Sequence, residues 1–456
     1  MKAVLHMKKT DVAIIGAATS GAYLAKRLSE KGVSVVCIEK DPKEKVGSKY
    51  DIVHIETKEF EHFGIPRPVK GDEAWAFEFS REQTADPMDK YPKEGYNPKV
   101  GLHMHEYTVQ LNEWAESFGA EFVYEAQFTE FILTNGKITG LKYKKRGRIN
   151  RLDASVIVDC SGIPAVGRRN LPDGYGMEKF ALQGDDMFYV VLRYVKILNE
   201  EDKVTEYSRG WPFYKSWIAP CQDPDGAIVG IGACHSFEHC DEVYNDMLST
   251  VTLPAHELNY IEKGFTPYRR PPYTFVADNF VVSGDAACLT KPINGEGVTS
   301  SMVHLGIVSE VIAESLKNGD TSKKGLWKIN TEYNKVQGAD FSFMRALLTG
   351  VINAAKLEEF EYAFESGMIS DELLSSGTEG GEFDPATSVL LNAVFRMISG
   401  IVTGKVSKKT VSAALQALKN AAEIKELYLA FPEEAENYAR WCMKADKLWK
   451  RIGKLR

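Results

Sequence analysis

The chain has 456 residues, of which 44% are hydrophobic and 26% charged, and its formal net charge is −7. That length supports two to three domains with a large core, while the acid surplus argues against nucleic acid as a partner. No stretch approaches the ~20 apolar residues needed to cross a bilayer, and MKAVLHMKKTD lacks the apolar run of a signal peptide. A cytoplasmic protein is expected. Its seven cysteines (Cys37, Cys160, Cys221, Cys234, Cys240, Cys288, Cys442) are scattered and odd in number, which fits free thiols in a reducing compartment.

The first element group is TDVAIIGAATSGAYLAKRLSEKGVSVVCIEKD, residues 10–41. Asp11–Ile15 has the composition of a buried strand and Gly16–Gly21 that of a tight turn. Ala22–Lys31 has helical apolar spacing, ended by Gly32, and Val33–Glu39 is a second buried strand; together they make one βαβ unit. The turn is a G-x-G-x-x-G with Ala18 in the second glycine's place. Gly16 makes the turn, Gly21 allows close helix–strand packing, and the middle position is where backbone approaches a pyrophosphate. Ala18 shifts that approach slightly, but the helix start at Thr19 and Ser20 still offers N–H groups and a positive dipole end. Glu39, with Lys40 beside it, stands where a carboxylate would accept hydrogen bonds from ribose hydroxyls.

Residues 42–100 are predicted to be irregular, with a few strands. A helix at His105–Phe118 ends at Gly119, a strand (AEFVYEAQF) follows, and residues 129–158 alternate as a meander. VIVDCSG, 156–162, is a buried strand. Residues 180–270 are strand-rich, and within them CHSFEHC, 234–240, imitates a metal site. Its Cys-His pairs are adjacent dipeptides, which a strand sends to opposite faces, so a strand end and loop is expected there and no metal. FVVSGD, 280–285, is a last buried strand, a helix follows from about Val298, and the chain from about 326 onward is mostly helical.

Three buried strands thus end in polar, glycine-bearing turns at Gly16–Gly21, Asp159–Gly162 and Gly284–Asp285. In an open α/β sheet, ligands sit beyond the carboxyl ends of the strands. A single nucleotide does not need so many stations, whereas FAD, with pyrophosphate, ribityl chain and isoalloxazine, fits their number. The arrangement resembles the glutathione-reductase-type FAD domain, in the flavoprotein superfamily that contains para-hydroxybenzoate hydroxylase and geranylgeranyl reductases. TPYRRPPYTFVADNFVVSGDAACLTKPINGEG, 266–297, resembles the geranylgeranyl reductase family closely, in its Arg-Arg-Pro and its Gly-Asp…Pro…Gly-x-Gly run. IKELYLAFP, 424–432, and RMISGIVTGK, 396–405, look like that family's helical tail.

The resemblance implies a Rossmann-like FAD domain built from 8–55, 100–168 and 270–325, a β-rich substrate domain from 56–99 and 169–269, and a helical region from 326–456. It implies that Gly16, Ala18 and Gly21 face the FAD pyrophosphate and Glu39 the adenosine ribose, with Ala126 and Gly162 beside the adenine. Gly284 and Asp285 would meet the ribityl or pyrophosphate region. Pro292 would shape the turn that brings Gly295, Glu296 and Gly297 N–H groups to the flavin's pyrimidine end. Gln110 stands where many members carry an arginine. Two further positions depart from the family. Asp51-Ile52 replaces the cysteine–glycine pair of the archaeal reductases. FYKSWIAP, 213–220, keeps Trp217 and Pro220 of a Tyr-x-Trp-x-Phe-Pro cavity motif but places Lys215 and Ala219 in its aromatic slots.

The resemblance implies an FAD-dependent reductase of carbon–carbon double bonds, acting on an apolar or lipid substrate by hydride transfer from flavin N5. Asp51, His54 and Lys215 are the candidate proton donors. An FAD-dependent monooxygenase and a catalytically impaired FAD- or lipid-binding protein are the alternatives. No second glycine fingerprint for a nicotinamide is visible, which leaves reduced nicotinamide, ferredoxin or another donor open. MKADKLWKRIGKLR, 443–456, places Leu448, Trp449, Ile452 and Leu455 on one stripe among basic residues. That pattern suits peripheral contact with an anionic membrane or docking on the body of the protein.

Overall fold

The structure, a computed structural model, describes residues 7–48, 52–212, 214–354, 356–371, 396–397 and 399–453. β1 (Met7–Ile15), α1 (Thr19–Ser29) and β2 (Val35–Ile38) form the βαβ unit. β3 (Ile52–Glu56), α2 (Thr57–Phe63), β4 (Trp75–Thr84) and β5 (Lys93–His103) then occupy the stretch expected to be irregular with a few strands. Register shifts at Trp75/Phe77 and Phe79/Arg81 break the period-2 alternation of β4 against β5, and such bulges hide a strand from pattern reading.

α3 (Met104–Ser117), β6 (Glu121–Val123), β7 (Ala126–Thr134), β8 (Lys137–Lys145), β9 (Arg148–Asp159) and the short α4 (Val166–Arg169) come next. The middle of the chain holds β10 (Met187–Ile197), β11 (Tyr207–Trp211), β12 (Lys215–Pro220), β13 (Gly226–Ala233), α5 (Phe237–Leu248) and β14 (His256–Pro267). α5 corrects the loop expected over CHSFEHC. Ser236 caps it by accepting from the His239 N–H at 3.2 Å, while His235 pairs with Asp185 and His239 with Glu242.

β15 (Val276–Ala277) and β16 (Phe280–Val282) lead to α6 (Val298–Asn318), α7 (Lys323–Leu326), α8 (Lys328–Tyr333), α9 (Ala339–Ile352), α10 (Leu357–Glu365), α11 (Lys408–Leu429) and α12 (Tyr438–Ile452). Among the described residues, no helix is long and apolar enough to cross a membrane.

Two eight-stranded sheets organise these elements. The first runs β15-β16-β9-β1-β2-β6, with β7 and β8 joined through β9. β16, β9, β1, β2 and β6 are parallel, so the carboxyl ends of β16, β9 and β1 lie side by side. The second runs β14-β10-β13-β12-β11-β4-β5-β3 and is antiparallel except between β11 and β4. β3 and all of β5 belong to this second sheet, so the domain boundaries expected at 55/56 and 99/100 both fall inside its strands.

Alternation along the second sheet separates its faces. Val191, Ile218, Val229 and Ile231 pack with Cys240, Val243 and Met247 of α5. Phe77, Leu192, Ile228 and Trp217 cluster on the other face.

The apolar stripe of α12 turns inward. Leu448, Trp449 and Ile452 pack against the main core, and the Trp449 Nε1–H donates to the Tyr428 hydroxyl at 3.0 Å. Tyr273 donates to Asp446 at 2.7 Å from the other side. The stripe considered for membrane contact is therefore a docking face; Leu455 lies outside the described residues. Trp449→Ala is expected to lower stability by about 2 kcal/mol, read by urea unfolding, and to leave co-sedimentation with anionic liposomes unchanged.

Candidate functional site

At the carboxyl ends of β1, β9 and β16 the chain turns three times in one place. Gly16 follows β1 with φ +103°, and a Cβ there would stand 2.4 Å from the Cys160 carbonyl oxygen on the neighbouring strand. A Cβ at Gly21 would meet the Gly16 carbonyl oxygen at 1.9 Å, so this glycine allows the helix to sit on the strand rather than touching a ligand. Ala18 is the N-cap of α1 and has no side-chain cap, so the helix start keeps its N–H groups for an anion.

Glu39 is buried at the end of β2. One carboxylate oxygen accepts from Ala17 N–H and the other from Asp41 N–H, both at 2.9 Å. Each oxygen keeps a further lone pair, and the residue faces the cavity.

Asp159, which ends β9, is fully buried and accepts from Ser161 N–H at 3.0 Å and Arg168 N–H at 2.6 Å. Gly167 makes this possible, since a Cβ there would lie 2.8 Å from the Asp159 carboxyl carbon. Arg168, 1% exposed, donates onward to the carbonyls of Ala286 and Glu178 at 3.0 and 2.8 Å. It ties the second turn to the third. A buried arginine leaves no mark in hydrophobic patterning, and sequence reasoning missed it.

These turns open into a cavity of about 1550 Å³ that runs from Gly16, Glu39 and Ala126 to the face of the second sheet. Of the expected cofactor positions, Gly16, Ala18, Thr19, Ser20, Glu39, Lys40, Ala126, Gly162, Asp285, Gly295, Glu296 and Gly297 line it. Gly21, Gly284, Gln110 and Pro292 do not. Gly284 packs on Ser20, whose Oγ would be 2.7 Å from an added Cβ. The Gln110 Oε1 is buried, with no hydrogen-bond partner among the described residues. Pro292 is buried behind the turn it shapes.

The Asn294–Gly297 turn corrects one expectation. Gly295 N–H donates to the Lys291 carbonyl at 2.9 Å and Glu296 N–H to Asn294 Oδ1 at 3.1 Å. The Glu296 carboxylate accepts from Thr299 and Ser300 N–H at 2.7 and 3.0 Å, capping α6 itself. Of the three N–H groups expected to serve a ligand, only that of Gly297 is not used within the turn.

The far end of the cavity is the exposed face of the second sheet. Lys215, Trp217 and Ala219 alternate on that face of β12, while Pro220 falls on the other and does not line the cavity. Trp217 lies flat over Gly230, where a Cβ would come within 2.1 Å of the ring. Lys215 donates to the Asn294 carbonyl and stands 5.2 Å from the Trp217 ring centroid. Enclosure by protein, and secondarily the Lys99 charge, lowers its pKa to about 8 against the opposing pull of Glu82 and Glu296. His54 on β3 meets Phe77 and Phe79 edge-on, and its Nε2 has no hydrogen-bond partner among the described residues. Burial first, then Lys99 and Lys215, holds its pKa near about 3, so it is neutral at physiological pH. Lys99 is paired with Glu82, which also accepts from Asn97 at 2.9 Å. Asp51 lies outside the described residues.

An uncapped helix start, a buried carboxylate at the end of β2 and a long cleft fit FAD, and the protein is an FAD-dependent oxidoreductase. The family described as FAD binding domain matches residues 9–234. The digeranylgeranylglycerophospholipid reductase of Sulfolobus acidocaldarius is 24% identical over 457 residues, covering 96% of this chain and 97% of that one. A geranylgeranyl bacteriochlorophyll reductase-like protein from Thermoplasma acidophilum superposes with a TM-score of 0.66 at 17% identity, over 88% of this chain and 100% of that one. The flavin-dependent brominase Bmp2 gives 0.62 at 19%, over the same shares, and shares the fold. These likenesses support the resemblance of the chain to the geranylgeranyl reductases.

Proposed function

We propose that this protein reduces carbon–carbon double bonds of an apolar, isoprenoid-type substrate. The observation that carries the reading is the continuity of the nucleotide cleft with a chamber walled by Phe188, Val190, Leu192, Trp217 and Ile228. The Sulfolobus acidocaldarius relative, named for an isoprenoid lipid, supports it. When bound and reduced, FAD supplies hydride from N5.

The chain's own residues do the rest. Gly16, Ala18, Thr19 and Ser20 hold the pyrophosphate, Glu39 the ribose, and Asp285 the ribityl region. The apolar wall orients the alkene and excludes water, so that charge at the reacting carbons is not dispersed. Lys215 holds the proton that completes reduction. Its pKa of about 8 keeps it protonated at neutral pH yet able to donate. His54, held neutral, shapes the wall and does not serve as the acid. Electrons come from outside the chain, from reduced nicotinamide or ferredoxin.

Holoenzyme reduced by dithionite without oxygen, then mixed with a polyprenyl substrate, is expected to reoxidise and yield product heavier by two hydrogens per turnover. Turnover that appears only with oxygen would make the protein a monooxygenase instead.

A further inference from the structure

The chamber contains one feature that an isolated alkene does not call for. Lys215 projects from the apolar wall beside Trp217, and its ammonium meets the Asn294 carbonyl, with no carboxylate at salt-bridge distance among the described residues. Lys99, also on the wall, is neutralised by Glu82. Ala219, two residues beyond Trp217 on the same face, lines the cavity with only a methyl group. A cation in an apolar enclosure is costly unless it meets an opposing charge.

The sign of the reaction matters here. Adding a proton to an isolated alkene first builds positive charge on carbon, which a fixed ammonium opposes. Adding hydride to an alkene conjugated to a carbonyl moves negative charge onto oxygen, which the same ammonium favours.

We propose that the double bond reduced by this protein is conjugated to a carbonyl group at one end of an apolar chain, and that Lys215 holds the carbonyl oxygen. This rests on the double-bond reductase reading above. The substrate's β-carbon accepts hydride, two electrons and one proton, from the reduced cofactor. The alkene π pair shifts to form the enolate, whose oxygen takes the Lys215 hydrogen bond. The α-carbon then takes a proton from Lys215 or from water that reprotonates it, leaving a saturated carbonyl compound and oxidised cofactor. An external two-electron donor restores the cofactor. The lowered pKa of Lys215 suits this exchange of a proton.

The test needs no turnover at first. Oxidised holoenzyme is titrated with a nitrophenol, whose ionised oxygen mimics the enolate and whose colour reports ionisation. Wild type is expected to bind the phenolate and ionise it at lower pH than water does. Lys215→Met should abolish that shift and weaken binding at least tenfold, and Lys215→Gln, which keeps a neutral N–H donor, should fall between. An unchanged flavin spectrum shows that each variant is folded and loaded. In anaerobic turnover, Lys215→Met should slow reduction of an enal or enone by about 10²–10³-fold.

Phenolate binding indifferent to residue 215 overturns the proposal. So does a Lys215→Met variant that shifts the flavin potential but not phenolate ionisation, or a wild type that reduces isolated alkenes as fast as enones. A reduced enzyme that neither kind of alkene reoxidises, with the phenolate shift intact, overturns the reductase reading on which the proposal rests.

Discussion

Gly16→Val is expected to purify colourless and to unfold more easily than the natural chain. The backbone at this position has φ +103°, and an added Cβ would lie 2.4 Å from the Cys160 carbonyl oxygen and 2.9 Å from its carbon. Both contacts are with backbone of an adjacent parallel strand, which cannot rotate aside. Strained φ alone costs about 1–3 kcal/mol, and the collision adds to it, so a loss of about 3 kcal/mol or more is expected. The turn moves with the strain, and FAD retention, read as flavin absorbance per protein, should fall at least about tenfold. Gly32→Ala supplies the control. Gly32 also has positive φ, +76°, but no atom lies within 4 Å of an added Cβ. Its cost is limited to about 1 kcal/mol, and the protein should stay yellow.

Arg270→Met is expected to destabilise the fold by about 3 kcal/mol, most strongly at neutral pH. Arg270 donates two hydrogen bonds to Glu178, at 2.9 and 2.8 Å, and the same carboxylate accepts from Tyr273 N–H at 2.7 Å. Removing the guanidinium strands a largely enclosed carboxylate, and breaking such pairs costs about 3–5 kcal/mol. Burial by itself would raise the Glu178 pKa, but the Arg270 hydrogen bond and charge outweigh it and hold the group below its ordinary value.

A carboxyl group with a depressed folded pKa contributes stability above its unfolded pKa of about 4.3 and loses it as pH falls through the folded value. Natural protein should therefore lose this contribution on acidification below about pH 5, whereas the variant has none to lose. The difference between the two in urea midpoints should be wide at pH 7 and narrow towards pH 4. A gap that does not change with pH would mean that Arg270 acts through its stacking on Tyr273, whose ring centroid lies 3.5 Å away.

Arg269 and Arg270 illustrate the limit of sequence reading. The Arg-Arg-Pro triplet carries part of the family resemblance in the sequence, yet neither arginine lines the cavity. Arg270 clamps Glu178, and Arg269 pairs with Asp186 at 3.3 Å and stacks on Phe180 opposite Arg168. Their partners lie more than 80 residues earlier in the chain, and no local pattern announces a pair across that distance. Glu296 shows the same limit at short range. Its spacing from the glycines suggested free N–H groups, but the carboxylate folds onto its own helix.

The turns at the strand ends were legible in residue order alone. Gly16, Gly21, Glu39 and the Gly284-Asp285 turn rest on backbone conformation and two carboxylates, and such local requirements are written in residue type and spacing. The second sheet and the chamber emerged from contacts between distant parts of the chain. The bulged pair β4 and β5 is extended into one sheet by β3 on one side and the distant β11 on the other. The α12 stripe faces inward because α11 offers it an apolar seat. Lys215 also became legible only there. Its strand pattern is that of any solvated lysine, and what distinguishes it is what surrounds it: an apolar wall, the Asn294 carbonyl and the Trp217 ring. Burial and charge balance are properties of the assembled fold, and they are what define the chemistry of the chamber.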